Sequence, residues 1–334
     1  MNKPKVSVLI PCYNVEKYIR QCMDSVVNQT LKEIEIICIN DGSKDNTLAI
    51  LKEYAEKDDR IVIIDKANSG YGDSMNQGLK KANGEYIGIV ESDDFVEQNM
   101  FETLYNAAIQ NNVEVVKSNF YAYVTKTDTN TKTIVIPESD EKQVICPRER
   151  QGIFWSAPCI WAAIYKREFL LENNIDFLPT PGASYQDTGF NFKVWAMTKR
   201  AYFLNEAFLH YRQDNENSSI NSPGKVYCVC DEYHEIEHFA REKGVYEELK
   251  YLIPRLKFGA YYWNFERLSF PLNYRFLKVF SKEFHEYFTQ KTISKELFGK
   301  RLLRRVRRIA KQPFLYFIGY YLKKIKNSIL RRKK

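Results

Sequence analysis

Glu91-Ser92-Asp93-Asp94 sets three carboxylates within four residues, directly after the apolar run Ile87-Gly88-Ile89-Val90. Like charges crowded this closely repel unless a cation neutralises them. Hard carboxylate oxygens suit Mg2+ or Mn2+, which take one or two carboxylates and complete their shell with phosphate oxygens and water. The same residues could also form a solvated acidic turn in front of a helix. Two more acids, Asp41 and Asp65, end other β-branched runs. A single acid at a strand end is as often a turn former as a ligand. Their recurrence at successive strand ends points to a site.

Such acids need a sheet to hold them at one edge. Residues 6–10, 34–39, 61–64 and 86–90 read as short strands, separated by helical patterns over 16–28, 44–57 and 70–82. This alternation predicts βαβ units and a mainly parallel sheet, whose carboxyl edge gathers loops and helix N-termini into a ligand crevice. Ser43 is a candidate N-cap with Asp45 in the first turn, and Gly84 marks the turn after the third helix. A helix over 97–111, a strand over 114–122 and an exposed polar hairpin over 125–142 follow. Residues 145–215, with two short helices among Pro, Gly and aromatic clusters, read as the second half of the same domain. The expected division is a domain over 1–222, with halves 1–122 and 123–222, and a helical region over 223–334, with the boundary near Ser222-Pro223-Gly224.

Four ordered segments carry a resemblance: residues 6–14; Asn40-Asp41-Gly42-Ser43-Lys44-Asp45-Asn46-Thr47; Asn68-Ser69-Gly70 through Asn76-Gln77-Gly78; and Glu91-Ser92-Asp93-Asp94. Together they resemble the successive motifs of the family 2 glycosyltransferases, strongly over 5–120 and more weakly to about 220. The resemblance implies an α/β fold of the GT-A type, Rossmann-like, with helices on the sheet, and inverting transfer of a sugar from a UDP-sugar with Mn2+ or Mg2+. Pro11, Tyr13 and Asn14 would then lie along the base and ribose, and Asp41 would accept a hydrogen bond from the base. A carboxylate acceptor matches the ring N–H of uracil or thymine, which cytosine lacks. Lys66 and Asn68 would border the diphosphate with Ser92 nearby, and Asp93 would hold the metal with Glu91 and Asp94 assisting.

The chain departs from that pattern in two places. Glu91 stands where the family has Asp, and Ser74-Met75-Asn76 replaces a segment that often carries a phosphate-side arginine, leaving Lys66 or a later residue to supply the charge. Ser184-Tyr185-Gln186-Asp187-Thr188 is similar to the late acidic motif, which makes Asp187 the catalytic base; an N-cap role for a helix over 188–198 is also open to it. Trp161, in Cys159-Ile160-Trp161-Ala162, resembles the acceptor-side segment, where an indole face suits a sugar ring, although a core tryptophan fits too. His210-Tyr211-Arg212, followed by Ser218-Ser219, matches a segment that closes over the phosphates, with His210 a further candidate metal ligand.

The net charge of +8 over 334 residues is unevenly spread: residues 300–334 hold fourteen Lys or Arg and no acid, leaving −6 for the rest. Apolar residues three and four apart run through this tail, from Leu302, Leu303, Val306 and Ile309 to Phe314, Leu315, Ile318, Leu322 and Ile325, with a break at Pro313. That pattern predicts an amphipathic helix lying on an anionic membrane, rather than a nucleic-acid binder; packing onto the body is the competing arrangement. Seven scattered cysteines read as reduced core thiols, and no signal peptide or spanning segment is legible. The expected setting is the cytoplasm, at the inner face of the cell membrane, with a glycan or lipid-linked acceptor. Rival readings are a nucleotidyltransferase, whose basic glycine-rich loop is absent after the first strand, and a catalytically silent membrane-binding module.

Overall fold

A computed structural model describes residues 3–215 and 225–331 of the chain. Ser218, Ser219 and the boundary over 222–224 lie outside the described residues. The chain folds as two compact units, 1–221 and 222–334.

In unit 1 the chain runs β1 (Val6–Cys12), α1 (Ile19–Val27), β2 (Ile34–Asp41), α2 (Thr47–Ala55), β3 (Ile61–Lys66), α3 (Tyr71–Lys81) and β4 (Tyr86–Ile89). It continues through β5 (Phe95–Val96), α4 (Met100–Asn111), β6 (Val115–Val124), β7 (Thr129–Thr133), β8 (Val144–Ile145), β9 (Ala163–Lys166), α5 (Arg167–Glu172), α6 (Gln186–Met197) and β10 (Ala201–Arg212). The sheet order is β3-β2-β1-β4-β9-β6-β10-β5, with β7 on β6 and β8 on β10. The first four strands are parallel, Val6 pairing with both Ile34 and Tyr86. Beyond β4 the sheet is mixed, because β9 runs antiparallel to β4 and β6 while β10 runs parallel to β6. Crossover helices enforce parallel pairing in the first half, whereas the later strands meet through long excursions that permit either direction. Every residue of β1 is buried, as helices on both faces of a parallel sheet require.

Local chemistry moves the predicted boundaries inward. Helix α2 begins at Thr47, not 44, because Ser43 is spent on another loop, its hydroxyl accepting from the Asn14 N–H at 3.0 Å. The Asp45 carboxylate instead accepts from the Thr47 N–H at 3.0 Å. Likewise α6 starts at Gln186, so Asp187 lies inside the first turn and is not its N-cap. The polar hairpin forms from β6 and β7, with β7 exposed along most of its length.

Gly72 marks a backbone contact that side chains would forbid. A Cβ there would overlap the Leu178 carbonyl oxygen. Asn76 ties the same two segments, exchanging hydrogen bonds of 2.8 and 2.9 Å with the Phe177 backbone. Gly72→Ala is expected to lower stability by about 1–3 kcal/mol, the usual cost of overpacking, read from the urea midpoint at unchanged m.

Unit 2 comprises α7 (Cys228–Glu242), α8 (Tyr246–Leu249), α9 (Leu252–Arg267), α10 (Leu272–Thr289), α11 (Lys295–Lys311) and α12 (Pro313–Arg331). Its core is aromatic, with Tyr261, Phe265, Phe276, Phe280 and Phe284 nearly free of solvent. Among the described residues no helix is long and apolar enough to cross a membrane. The tail divides at Gln312, with Pro313 at the first position of α12, where a missing N–H costs no hydrogen bond. Val306 and Ile309, expected on a lipid face, are buried, and the Ala310 carbonyl accepts from Ser281 Oγ of α10. The first half of the tail is therefore a packed structural helix.

Candidate active site

The loop after β1 holds Tyr13, half exposed, and Asn14 in the left-handed region at φ 52°. Asn14 spans two loops: its N–H donates to Ser43, and its Oδ1 accepts from the Lys44 N–H at 2.8 Å. Pro11 stays within the buried strand opposite Ile39. Tyr13 is thus the side chain of this loop open to a planar ligand, with Asn14 fixing the loop beneath it.

At the end of β2 the Asp41 carboxylate accepts from the Ser69 and Gly70 N–H groups at 2.9 and 3.0 Å and pairs with the Lys66 ammonium. A carboxylate has about four acceptor sites, so one remains for a further donor. Lys66 also pairs with Asp73 at 3.2 Å and is nine-tenths buried. Its charge is neutralised by two acids, so it does not replace the missing phosphate-side arginine. Asn68 is exposed, with one amide N–H donating to the Asp41 carbonyl at 3.0 Å. Asp65 accepts from Asn40 at 2.7 Å, an ordinary turn-stabilising role.

The acidic loop follows β4. Glu91 accepts from the Tyr71 hydroxyl at 2.7 Å, and desolvation, with Asp93 and Asp187 nearby, pushes its carboxyl up to about 8. Asp94 is buried; its Oδ1 accepts from the Arg212 N–H at 2.8 Å, while its Oδ2 is buried without a partner. Burial and the Asp93 charge hold Asp94 well above the usual carboxylate range. Asp93 is part-exposed, and its Oδ2 accepts from the Asn215 amide at 2.7 Å. Ser92, expected at the donor, is instead buried.

Arg212 braces this loop from β10. Its Nε donates to the Asp93 carbonyl at 2.7 Å, its Nη2 to Gln21 Oε1 at 2.6 Å and its Nη1 to the Thr125 hydroxyl. Its guanidinium also lies 4.8 Å from the ring centre of Tyr18 and 5.0 Å from that of Tyr123. It therefore couples the acidic loop to α1 and the hairpin.

His210, two residues earlier, is not a metal ligand in this arrangement. Its Nδ1 meets Asn130 at 2.6 Å and its Nε2 meets Glu97 at 3.0 Å, and its ring is stacked on Phe95 and Tyr121. With both nitrogens engaged and burial favouring the neutral imidazole, it is a structural histidine. His210→Phe should cost about 1–3 kcal/mol of stability through the two orphaned partners and leave Mn2+-dependent UDP affinity unchanged. A fall in that affinity, measured by calorimetry, would restore the ligand role. Among the described residues no group of three or more His, Cys, Asp or Glu converges as a metal cage.

Asp187 reaches the same region from α6. Its Oδ1 accepts from the Thr188 N–H at 2.7 Å, and desolvation pushes its carboxyl up to about 6. The residue nonetheless keeps a part-exposed surface, so an incoming hydroxyl has access. Gln186, which stands where the family has Glu, is buried and donates to Thr180 Oγ1 at 2.9 Å and the Gly182 carbonyl at 3.3 Å. An amide both donates and accepts, which suits it to bracing this loop. Tyr71, which no sequence signal distinguished, joins the acidic loop to the loop before α6: its N–H donates to the Gly182 carbonyl at 3.0 Å while its hydroxyl holds Glu91.

Trp161 is nine-tenths buried, with Tyr211 stacked on it at 5.1 Å and Phe120 edge-on at 4.7 Å. It is a packing residue rather than an open sugar platform. Two surface cavities of about 320 and 300 Å³ contain none of the acids at 91–94, nor Asp187.

Three comparisons bear on this arrangement. The chain is 35% identical to the uncharacterized glycosyltransferase EpsJ of Bacillus subtilis, over 71% of this chain and 69% of that one. It is 31% identical to the glycosyltransferase GlyA of Streptococcus pneumoniae, over 62% of this chain but only 30% of that longer protein. Its fold matches S. aureus TarS 1–349 solved in complex with UDP-GlcNAc, with TM-score 0.68, 18% identity and coverage of 92% of this chain and 88% of that one, so the α/β fold is of the GT-A type. Residues 7–195 match the family described as glycosyl transferase family 2, so the chain belongs to that family and is a glycosyltransferase.

Proposed function

We propose that the protein transfers a hexose or N-acetylhexosamine, with inversion, from a UDP-sugar to a surface-glycan or lipid-linked acceptor, with Asp187 as general base. The observation that supports this reading is that Tyr71 holds Glu91 of the acidic loop through its hydroxyl and the loop leading to Asp187 through its N–H. The UDP-GlcNAc held by TarS supports the choice of donor.

The Asp187 carboxylate would take the proton of the acceptor hydroxyl as the hydroxyl oxygen bonds to the anomeric carbon. The bond from that carbon to the diphosphate oxygen breaks, and its electrons leave with UDP. Tyr13 would cover the base, and the open acceptor site on Asp41 would take the uracil N–H.

The acidic loop fits a divalent cation shared with the diphosphate. Three acids crowd together, two with carboxyls held above their usual range, and Asp94 Oδ2 has no partner. Asp93, part-exposed in that loop, would hold Mn2+ or Mg2+, with Glu91 and Asp94 beside it. A bound cation would supply charge neutralisation for the departing diphosphate. The cationic tail supports peripheral attachment to the cytoplasmic face of an anionic membrane.

A thermal-shift screen of nucleotide sugars with and without Mn2+ tests the donor, since a ligand of the native state raises Tm. UDP-sugars should stabilise the protein more with the cation than without it. Equal stabilisation by GDP- or CMP-sugars would overturn the assignment of the donor.

A further inference from the structure

Helix α12 carries two different apolar faces. One packs inward: Phe317 lies 4.9 Å from Tyr274, and Tyr320 lies 4.9 Å from Phe265. The other points outward: Phe314, Leu315, Ile318, Leu322 and Ile325 are 40–62% exposed. At 100° per residue these five fall within an arc of about 100°. Phe270, in the turn before α10, is 69% exposed and lies 6.4 Å from Phe317, which is three residues along α12 from Phe314, so it stands at the edge of the outward strip on a second element. Soluble surfaces rarely gather large aliphatic and aromatic side chains in this way without a partner.

Charge identifies the partner. Arg304, Arg307 and Arg308 on α11 and Lys323 and Lys324 on α12 are exposed, and no acidic residue occurs anywhere in 300–334. An apolar strip flanked by unopposed cations complements an anionic lipid surface, where the strip enters the headgroup boundary and the cations meet phosphates.

We infer that the membrane contact of this protein is a composite of the outward face of α12 and Phe270, with α11 acting only as a cationic flank because its apolar face is buried. The inference rests on the proposed membrane attachment and deepens it by naming the inserting side chains. It assigns insertion to a rigid, preformed surface, so binding needs no release of α11 from α10.

Flotation of the full chain with vesicles of phosphatidylglycerol or of phosphatidylcholine alone tests it. Wild type should float with the anionic vesicles, less at high salt, and stay behind with the neutral ones. The variant L315S/I318S/L322S/I325S should bind about a hundredfold more weakly, and F270S about threefold more weakly. R304Q/R307Q/R308Q should bind about tenfold or more weakly and show a shallower salt dependence. Circular dichroism and donor hydrolysis should be unchanged in all three, because the altered side chains are exposed. Wild type that fails to float with either vesicle overturns the membrane reading itself. Wild type that floats while the α12 variant floats equally overturns the composite surface and leaves attachment through the cations. Concentration-dependent dimers in light scattering that the α12 variant abolishes would also overturn it, by assigning the strip to a second copy.

Discussion

Asp187→Asn should lower sugar transfer by about a thousandfold, within the range general-base catalysis contributes, while UDP affinity stays within about twofold of wild type. The substitution keeps the side chain's size and the Oδ1 acceptor used by the Thr188 N–H, so the first turn of α6 is preserved. It removes the proton acceptor alone. Transfer by wild type should fall about tenfold per unit as pH drops below about 6, where the Asp187 carboxylate takes up its proton. The same group has a stability signature. A carboxyl whose folded value is raised costs stability once the pH passes its unfolded value near 4, and the cost is fully present above about 6. Asn escapes that cost, so Asp187→Asn should melt higher than wild type at pH 7 and no higher at pH 4. Transfer within about threefold of wild type would show that Asp187 is not the base.

Asp93→Asn should weaken cation-dependent UDP binding by at least the ten- to hundredfold that loss of an outer-shell metal partner costs. Asn keeps an oxygen able to accept from the Asn215 amide, so the geometry of the loop survives and only the charge is lost. UDP binding without cation should be little affected, because Tyr13 and Asp41 lie at other strand ends. Titration calorimetry with UDP, with and without Mn2+, reads both quantities. Unchanged affinity in Mn2+ would remove Asp93 from the metal assignment.

Arg212 and Tyr71 brace the segments that carry these two acids. The arginine fixes the Asp93 carbonyl and accommodates Asp94, and the tyrosine holds Glu91 while its backbone secures the loop that leads to Asp187. The bracing role of neither is legible in the sequence, because it is recognisable only by partners far along the chain. Tyr71 lies 20 residues from Glu91, and Arg212 lies 191 from Gln21.

Local patterns were enough to specify the parallel half of the sheet and its ligand edge. Hydrophobic period and turn residues are properties of short segments, and β1 to β4 are joined by crossovers that leave one way to pair. The crowding of acids at 91–94, the place of Asp187 at the start of a helix, and the basic, amphipathic character of the tail were legible in the same way. Which candidates are free to meet a ligand emerged only from the folded chain. Lys66, His210 and Trp161 are of suitable type and position, yet each is engaged by neighbours: Lys66 by Asp41 and Asp73, His210 by Asn130 and Glu97, Trp161 by Tyr211 and Phe120. A side chain's hydrogen-bonding capacity is finite, and whether the fold consumes it depends on residues that no local pattern brings together. The same holds in the tail, where α11 and α12 share one composition but α10 covers the apolar face of the first and leaves five large side chains of the second in solvent.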